Sequence, residues 1–163
     1  MEKTLIISYF AVSILGVLTH FWHKWFKKGV LLHILSAVNE SVWEHMKLSF
    51  YPMVLVMAMQ GAIPEIYYPG YWGSAVIVVL TATFLVPLLY YPIRKLLGRE
   101  IPAVSIGLYF VCILIAFIIE YCLLKSRFNA ISDTIALIIV LLCFGAFAFF
   151  TYFPPKLPLF KDS

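Results

Sequence analysis

The chain has 163 residues, of which 63% are hydrophobic and only 12% charged, with a mean hydropathy of +0.97. A water-soluble domain of this size has too much surface for its volume to hide that apolar content, so lipid is the solvent that fits. The formal charge of +4 sits in short basic runs between apolar segments. That placement matches anionic headgroups and gives no nucleic-acid signal.

The first segment, about residues 4–21, is apolar and ends in HFWHKWFKK. It lacks a small-x-small cleavage site, and its aromatic and basic end anchors a helix, so it reads as a transmembrane span. Three further segments, about 73–92, 101–124 and 131–152, also reach the roughly 20 apolar residues that a bilayer requires. Between 4–21 and 73–92 lies 29–63, which reads as one long helix of about 50 Å, bent near Pro52, where the ladder loses a donor. The expected fold is therefore all-α: a single domain, 1–163, forming a polytopic bundle of five transmembrane helices. The tail PPKLPLF cannot continue a helix and is expected to lie extended along the headgroups. Five spans place Lys24, Lys27, Lys28, Arg94, Lys95, Arg99, Lys156 and Lys161 on one side, with Lys3, Lys125 and Arg127 on the other. By the positive-inside rule the N-terminus is then outside and the C-terminus cytoplasmic.

Cys112, Cys122 and Cys143 all fall in apolar segments without C-x-x-C spacing, and are expected to be buried packing thiols. Gly145, Ala146 and Ala148 in the last span point to close helix packing there. Asp133 opens that span and suits a first helical turn.

The second segment carries the chemistry. On a wheel of about 100° per residue, His33, Ser36, Glu40, Glu44 and Lys47 share an arc of about 80°, with Trp43 at its edge and Asn39 roughly 60° beyond. His45 points away, at about 120° from His33. A polar stripe on an apolar helix must face the bundle interior or a watery cavity; the alternative is an amphipathic stretch lying flat at the interface. Glu120, in IAFIIEYCLL, adds an acid from another span, at a calculated depth close to that of Lys47, so the two are expected to pair. Three carboxylates against one ammonium would be left uncompensated, so the site must hold protons, gain a histidine charge, bind a cation or admit water. His33, Glu40, Glu44 and Glu120, with His20 as a further option, are the candidate ligands if a divalent metal is the answer. His20 and His23 form an H-x-x-H whose setting is that of an interfacial anchor. No cofactor is strongly implied.

The run HILSAVNESVWEHMKLSFYP resembles an uncharacterised family of small bacterial multi-pass membrane proteins marked by N-E-S-x-W-E-H-x-K. Asn39, Glu40, Ser41, Trp43, Glu44, His45 and Lys47 match that motif. The resemblance implies a bacterial cytoplasmic membrane, carries no mechanism, and widens the candidate site to Ser41, Trp43 and His45. There is no H-E-x-x-H, G-x-S-x-G or phosphate-binding glycine loop, and catalytic residues are not identified. The leading function is a proton- or cation-binding role of the transport type. The alternatives are a membrane-embedded enzyme acting on a lipid or isoprenoid, and an accessory subunit of a membrane complex. Expected partners are the bilayer, a proton, cation or small amphipathic ligand, and a second copy or another membrane chain.

Overall fold

The computed structural model describes residues 1–25, 29–129 and 131–161, apart from the side chains of residues 23–25 and 31. Six α-helices follow in chain order: α1 (Glu2–Trp25), α2 (Val30–Leu35), α3 (Val42–Gln60), α4 (Tyr71–Leu97), α5 (Pro102–Ser126) and α6 (Asp133–Tyr152). A 3-10 turn, Pro158–Phe160, follows them, and no strand occurs among the described residues. Four helices, α1, α4, α5 and α6, are long and apolar enough to cross a membrane.

Helix boundaries follow local chemistry. Ser132 caps α6 by accepting from the Ile135 N–H, and Asp133 sits in that first turn, as expected from the positive end of the helix dipole. Pro102 starts α5 at a position where its missing donor costs nothing. Gly98 ends α4 in the left-handed region at φ 66°, a conformation that a side chain disfavours.

The 29–63 segment departs from the expectation of one continuous helix. Helix α2 stops at Leu35, residues 36–41 form a loop, and α3 starts afresh at Val42. Ser36 turns extended, and its hydroxyl donates back to the Leu32 carbonyl at 2.5 Å. The Asn39 side-chain oxygen takes the Ser41 N–H at 3.0 Å, and Ser41 then caps α3 by accepting from the Glu44 N–H. Short polar side chains thus offer the backbone local partners that compete with the helical ladder. The discontinuity lies at this loop, ahead of Pro52, which sits inside α3.

Helix α3 is the axis of the molecule. Met46, Phe50, Met53, Val56 and Met57 are buried along it, and only Leu55 and Met59 among its large apolar side chains are exposed. The outer helices show the reverse pattern. Ile7 and Phe10 of α1, Leu88 of α4, Ile118 of α5 and Leu142 of α6 are all exposed. Such surfaces suit lipid, while the less apolar α3 is shielded from it.

Contacts fix the helix directions. Ser8 of α1 lies beside Gln60 of α3, whereas Tyr109 of α5 reaches the carbonyls of Val12 and Leu48. Tyr71 opens α4 against Met57, and Thr151 closes α6 against Lys47. The five long helices therefore alternate in direction. Glu2, Gln60, Tyr71, Ser126 and Asp133 stand at one end, and Trp25, Val42, Leu97, Pro102 and Tyr152 at the other.

Three smaller expectations are corrected. The tail folds back, so that Phe160 stacks on Trp43 with centroids 4.7 Å apart. Cys112 is buried, but Cys122 is exposed and Cys143 only half-buried. Close packing occurs at Gly16, where a Cβ would overlap the Tyr109 hydroxyl and lie 2.7 Å from the Leu48 carbonyl oxygen, while Gly145 has open space beside it.

Candidate functional site

Because the helix is interrupted, the expected polar stripe does not exist as one surface. Its members, with Glu120, separate into three groups, two of them at the Val42 end of α3 and the third at the Gln60 end.

The first is a buried ion pair near the Val42 end. Lys47 Nζ lies 2.6 Å from Glu44 Oε2, and both side chains are almost fully excluded from solvent. The same ammonium donates to the His33 carbonyl at 3.1 Å and to the Thr151 hydroxyl at 3.0 Å. Glu44 Oε2 also accepts from the Val38 N–H at 2.8 Å. An ammonium has three protons, and here each has an acceptor, on α2, α3 and α6. Desolvation of both charges is offset by this completeness, so the group acts as a clasp between three helices. His33 contributes its backbone carbonyl to the clasp, and Ser36 ends α2 beside it.

The second group is half-exposed, and it differs from the expected ligand set in joining His45 to Glu40 and His20. His20, near the end of α1, Glu40 in the 36–41 loop and His45 in the first turns of α3 converge. His20 Nε2 lies 3.9 Å from Glu40 Oε1, and His45 Nε2 lies 3.6 Å from Glu40 Oε2. His45 Nδ1 is 2.9 Å from the Ser41 carbonyl oxygen, and the two imidazole centroids are 5.7 Å apart. The wheel had pointed His45 away from Glu40; the loop between them swings the carboxylate to it. The side chain of His23 lies outside the described residues, so its expected pairing with His20 falls there too.

The third group surrounds Glu120 at the opposite end of the bundle. Glu120 is 2% exposed and stands beside the Gln60 side chain, and neither of its oxygens reaches a partner in good hydrogen-bond geometry. Gln60 donates to the Ser8 hydroxyl at 2.9 Å and accepts from the Tyr71 hydroxyl at 3.4 Å, while that hydroxyl also donates to the Met57 carbonyl at 2.7 Å. Among the described residues no Lys, Arg or His lies within ion-pairing distance of Glu120.

The expected Lys47–Glu120 pair is therefore corrected. Sixteen positions separate Glu44 from Gln60 on α3, about 24 Å along the axis. The depth calculation had counted 36–41 as helix and so carried Lys47 too far along. The charge count resolves differently as well. Glu44 is neutralised by Lys47, Glu40 faces two histidines at a wetter surface, and Glu120 is buried with no cation beside it among the described residues. The ligand set His33, Glu40, Glu44 and Glu120 is not assembled.

The motif residues take local roles. Asn39 shapes the turn, Ser41 caps α3, and Trp43 packs against Phe147, Phe150 and Phe160. Glu44 sits three residues after the cap, where a capping-box acid would turn back to the Ser41 N–H. Asn39 already holds that N–H, which leaves the Glu44 carboxylate for Lys47 and Val38.

A separate groove of about 510 Å³ runs between α3, α4 and α6, lined mainly by apolar side chains such as Val54, Met57, Trp72, Val79 and Val140, with Asp133 and Thr134 also on its wall.

Fold and site together define a helical protein with several membrane-length apolar helices packed with a largely buried helix that carries an ion pair. The chain belongs to the family described as "Family of unknown function (DUF6512)", whose model matches residues 1–163. No curated protein and no solved structure matches it.

Proposed function

We propose that this is a five-span protein of the bacterial cytoplasmic membrane that binds a proton or a small cation in its interior, in a role of the transport type, with Glu120 as the exchanging group. The fifth span is α3, whose 19 residues amount to about 28 Å, close to the thickness of the hydrocarbon core. The observation that carries the reading is Glu120 itself, a carboxyl removed from solvent with no cation beside it among the described residues, and with the Gln60 amide and the Tyr71 phenol near it. Gln60 suits such a site because its amide presents N–H to an ionised carboxylate, or oxygen to a protonated one, after a half-turn. Ionisable groups buried within membrane helices mark ion and proton paths by default.

The basic side chains favour a cytoplasmic C-terminus. Arg94 and Lys95 in the last turn of α4, with Arg99, Lys156 and Lys161, belong to the Tyr152 end.

The test is reconstitution into liposomes under an imposed pH or cation gradient. The wild type should dissipate the gradient, and Glu120→Gln should remove that flux while keeping its helical content. Equal flux from both proteins, or none from either, contradicts the proposal.

The groove between α3, α4 and α6 favours a second reading, an enzyme acting on a lipid or isoprenoid whose chain would lie against Val54 and Val140. That reading requires product formation without any gradient.

A further inference from the structure

We infer that His20, Glu40 and His45 form a binding site for a divalent transition metal of the zinc class, at the Val42 end of the bundle and independent of Glu120. One ligand atom from each of the three side chains falls within a sphere of mutual distances no larger than 4.8 Å. They come from three different segments, α1, the 36–41 loop and α3, so the cluster is a product of the tertiary fold.

The orientation of His45 carries the chemistry. Its Nδ1 is 2.9 Å from the Ser41 carbonyl oxygen. A carbonyl only accepts, so that contact is a hydrogen bond when Nδ1 bears the proton, and in the neutral ring the lone pair then sits on Nε2, the atom facing Glu40. A backbone carbonyl holding the far nitrogen is the usual outer-shell partner of a metal-bound imidazole.

Spacing agrees. The two imidazole-to-carboxylate separations, 3.9 and 3.6 Å, exceed hydrogen-bond length. They run to different carboxylate oxygens, and with one oxygen serving both histidines the three ligand atoms stay within 4.8 Å of one another. Binding would draw them in toward the roughly 3.4 Å edge of a tetrahedron whose ligands stand about 2.1 Å from zinc. The loop that supplies Glu40 is held from both sides, by Asn39 on the Ser41 N–H and by Glu44 on the Val38 N–H.

Two imidazoles and one carboxylate select zinc and the neighbouring borderline ions over calcium or magnesium, which prefer all-oxygen shells. Three protein ligands leave a fourth position for water or an incoming group. With Glu40 half-exposed, that position is open to the aqueous phase.

The experiment uses the full chain purified in detergent and stripped with a chelator, titrated with Zn²⁺ and with Co²⁺ as a spectroscopic stand-in. One saturable site per chain is expected. His20→Ala, Glu40→Gln and His45→Ala should each weaken it at least about tenfold, the loss that even an outer-shell partner brings, whereas His33→Ala and Glu120→Gln should leave it unchanged. A second measurement needs only the wild type: Zn²⁺ should shield His20 and His45, but not His33, from acylation by diethyl pyrocarbonate, read by mass spectrometry. Binding that survives all three substitutions, no saturable binding, or no selective shielding overturns the site.

Discussion

Lys47 holds three helices by one atom, and its contribution is measurable by what its loss strands. Removing the ammonium in Lys47→Ala leaves Glu44 as an unpaired buried carboxylate, with an expected cost of about 3–5 kcal/mol. The double variant Glu44→Gln with Lys47→Met should be markedly more stable than the single one, because it removes both charges and keeps their volume. Thermal unfolding in detergent compares them, and a double variant no better than Lys47→Ala would refute the clasp. Gly16 marks a second residue-scale constraint. Gly16→Leu cannot be accommodated by a side-chain rotation alone, since the Leu48 carbonyl is backbone. An overpacking penalty of about 1–3 kcal/mol or more is expected from the same measurement. Each individual polar residue was visible in the sequence as an interruption of apolar text. Which of them meet was not, because pairing depends on the loop at 36–41. His20 and Thr151, one at an anchor-like end and the other a lone hydroxyl, gave no local signal of the partners they find.

At the scale of elements, α3 decides the fold. Its start is written in the sequence as S-V-W-E, a cap followed three residues later by an acid, just ahead of an apolar run. Reading that signature as a helix start would have divided the 29–63 segment correctly. Hydrophobic periodicity instead favoured continuity, since α2 and the first half of α3 lie near enough in phase to imitate one stripe. Ser41→Ala removes the cap and should cost about 1 kcal/mol. It should also loosen the loop bearing Glu40, so metal affinity should fall together with stability. A variant that loses stability alone would separate the cap from the ligand loop. The four apolar helices, by contrast, were legible as elements, although α1 and α4 run longer, Glu2–Trp25 and Tyr71–Leu97, than the expected 4–21 and 73–92. The expected 101–124 and 131–152 became Pro102–Ser126 and Asp133–Tyr152, because lipid imposes one length and one composition on any helix it surrounds.

For the whole molecule, the most buried helix, α3, carries the buried ion pair, while α1, α4, α5 and α6 turn apolar faces outward. This explains how Glu44, Lys47 and Gln60 can occupy a chain of such high mean hydropathy: each is placed on the one helix that neighbours cover. Alternating helix directions set the termini at opposite ends, and the proposed orientation, drawn from the basic bias, puts the Tyr152 end in the cytoplasm. Reporter fusions should therefore be active in the cytoplasm at the C-terminus and only beyond the membrane at the N-terminus. A cytoplasmic signal from both ends would contradict an odd number of spans. The interior acid is the remaining claim, and infrared difference spectroscopy addresses it most directly. Across a pH or cation titration of the purified protein, a carboxyl C=O band should appear and disappear in the wild type and be missing from Glu120→Gln. A spectrum in which no carboxyl band responds, or in which the same band persists without Glu120, would contradict an exchanging acid in the bundle.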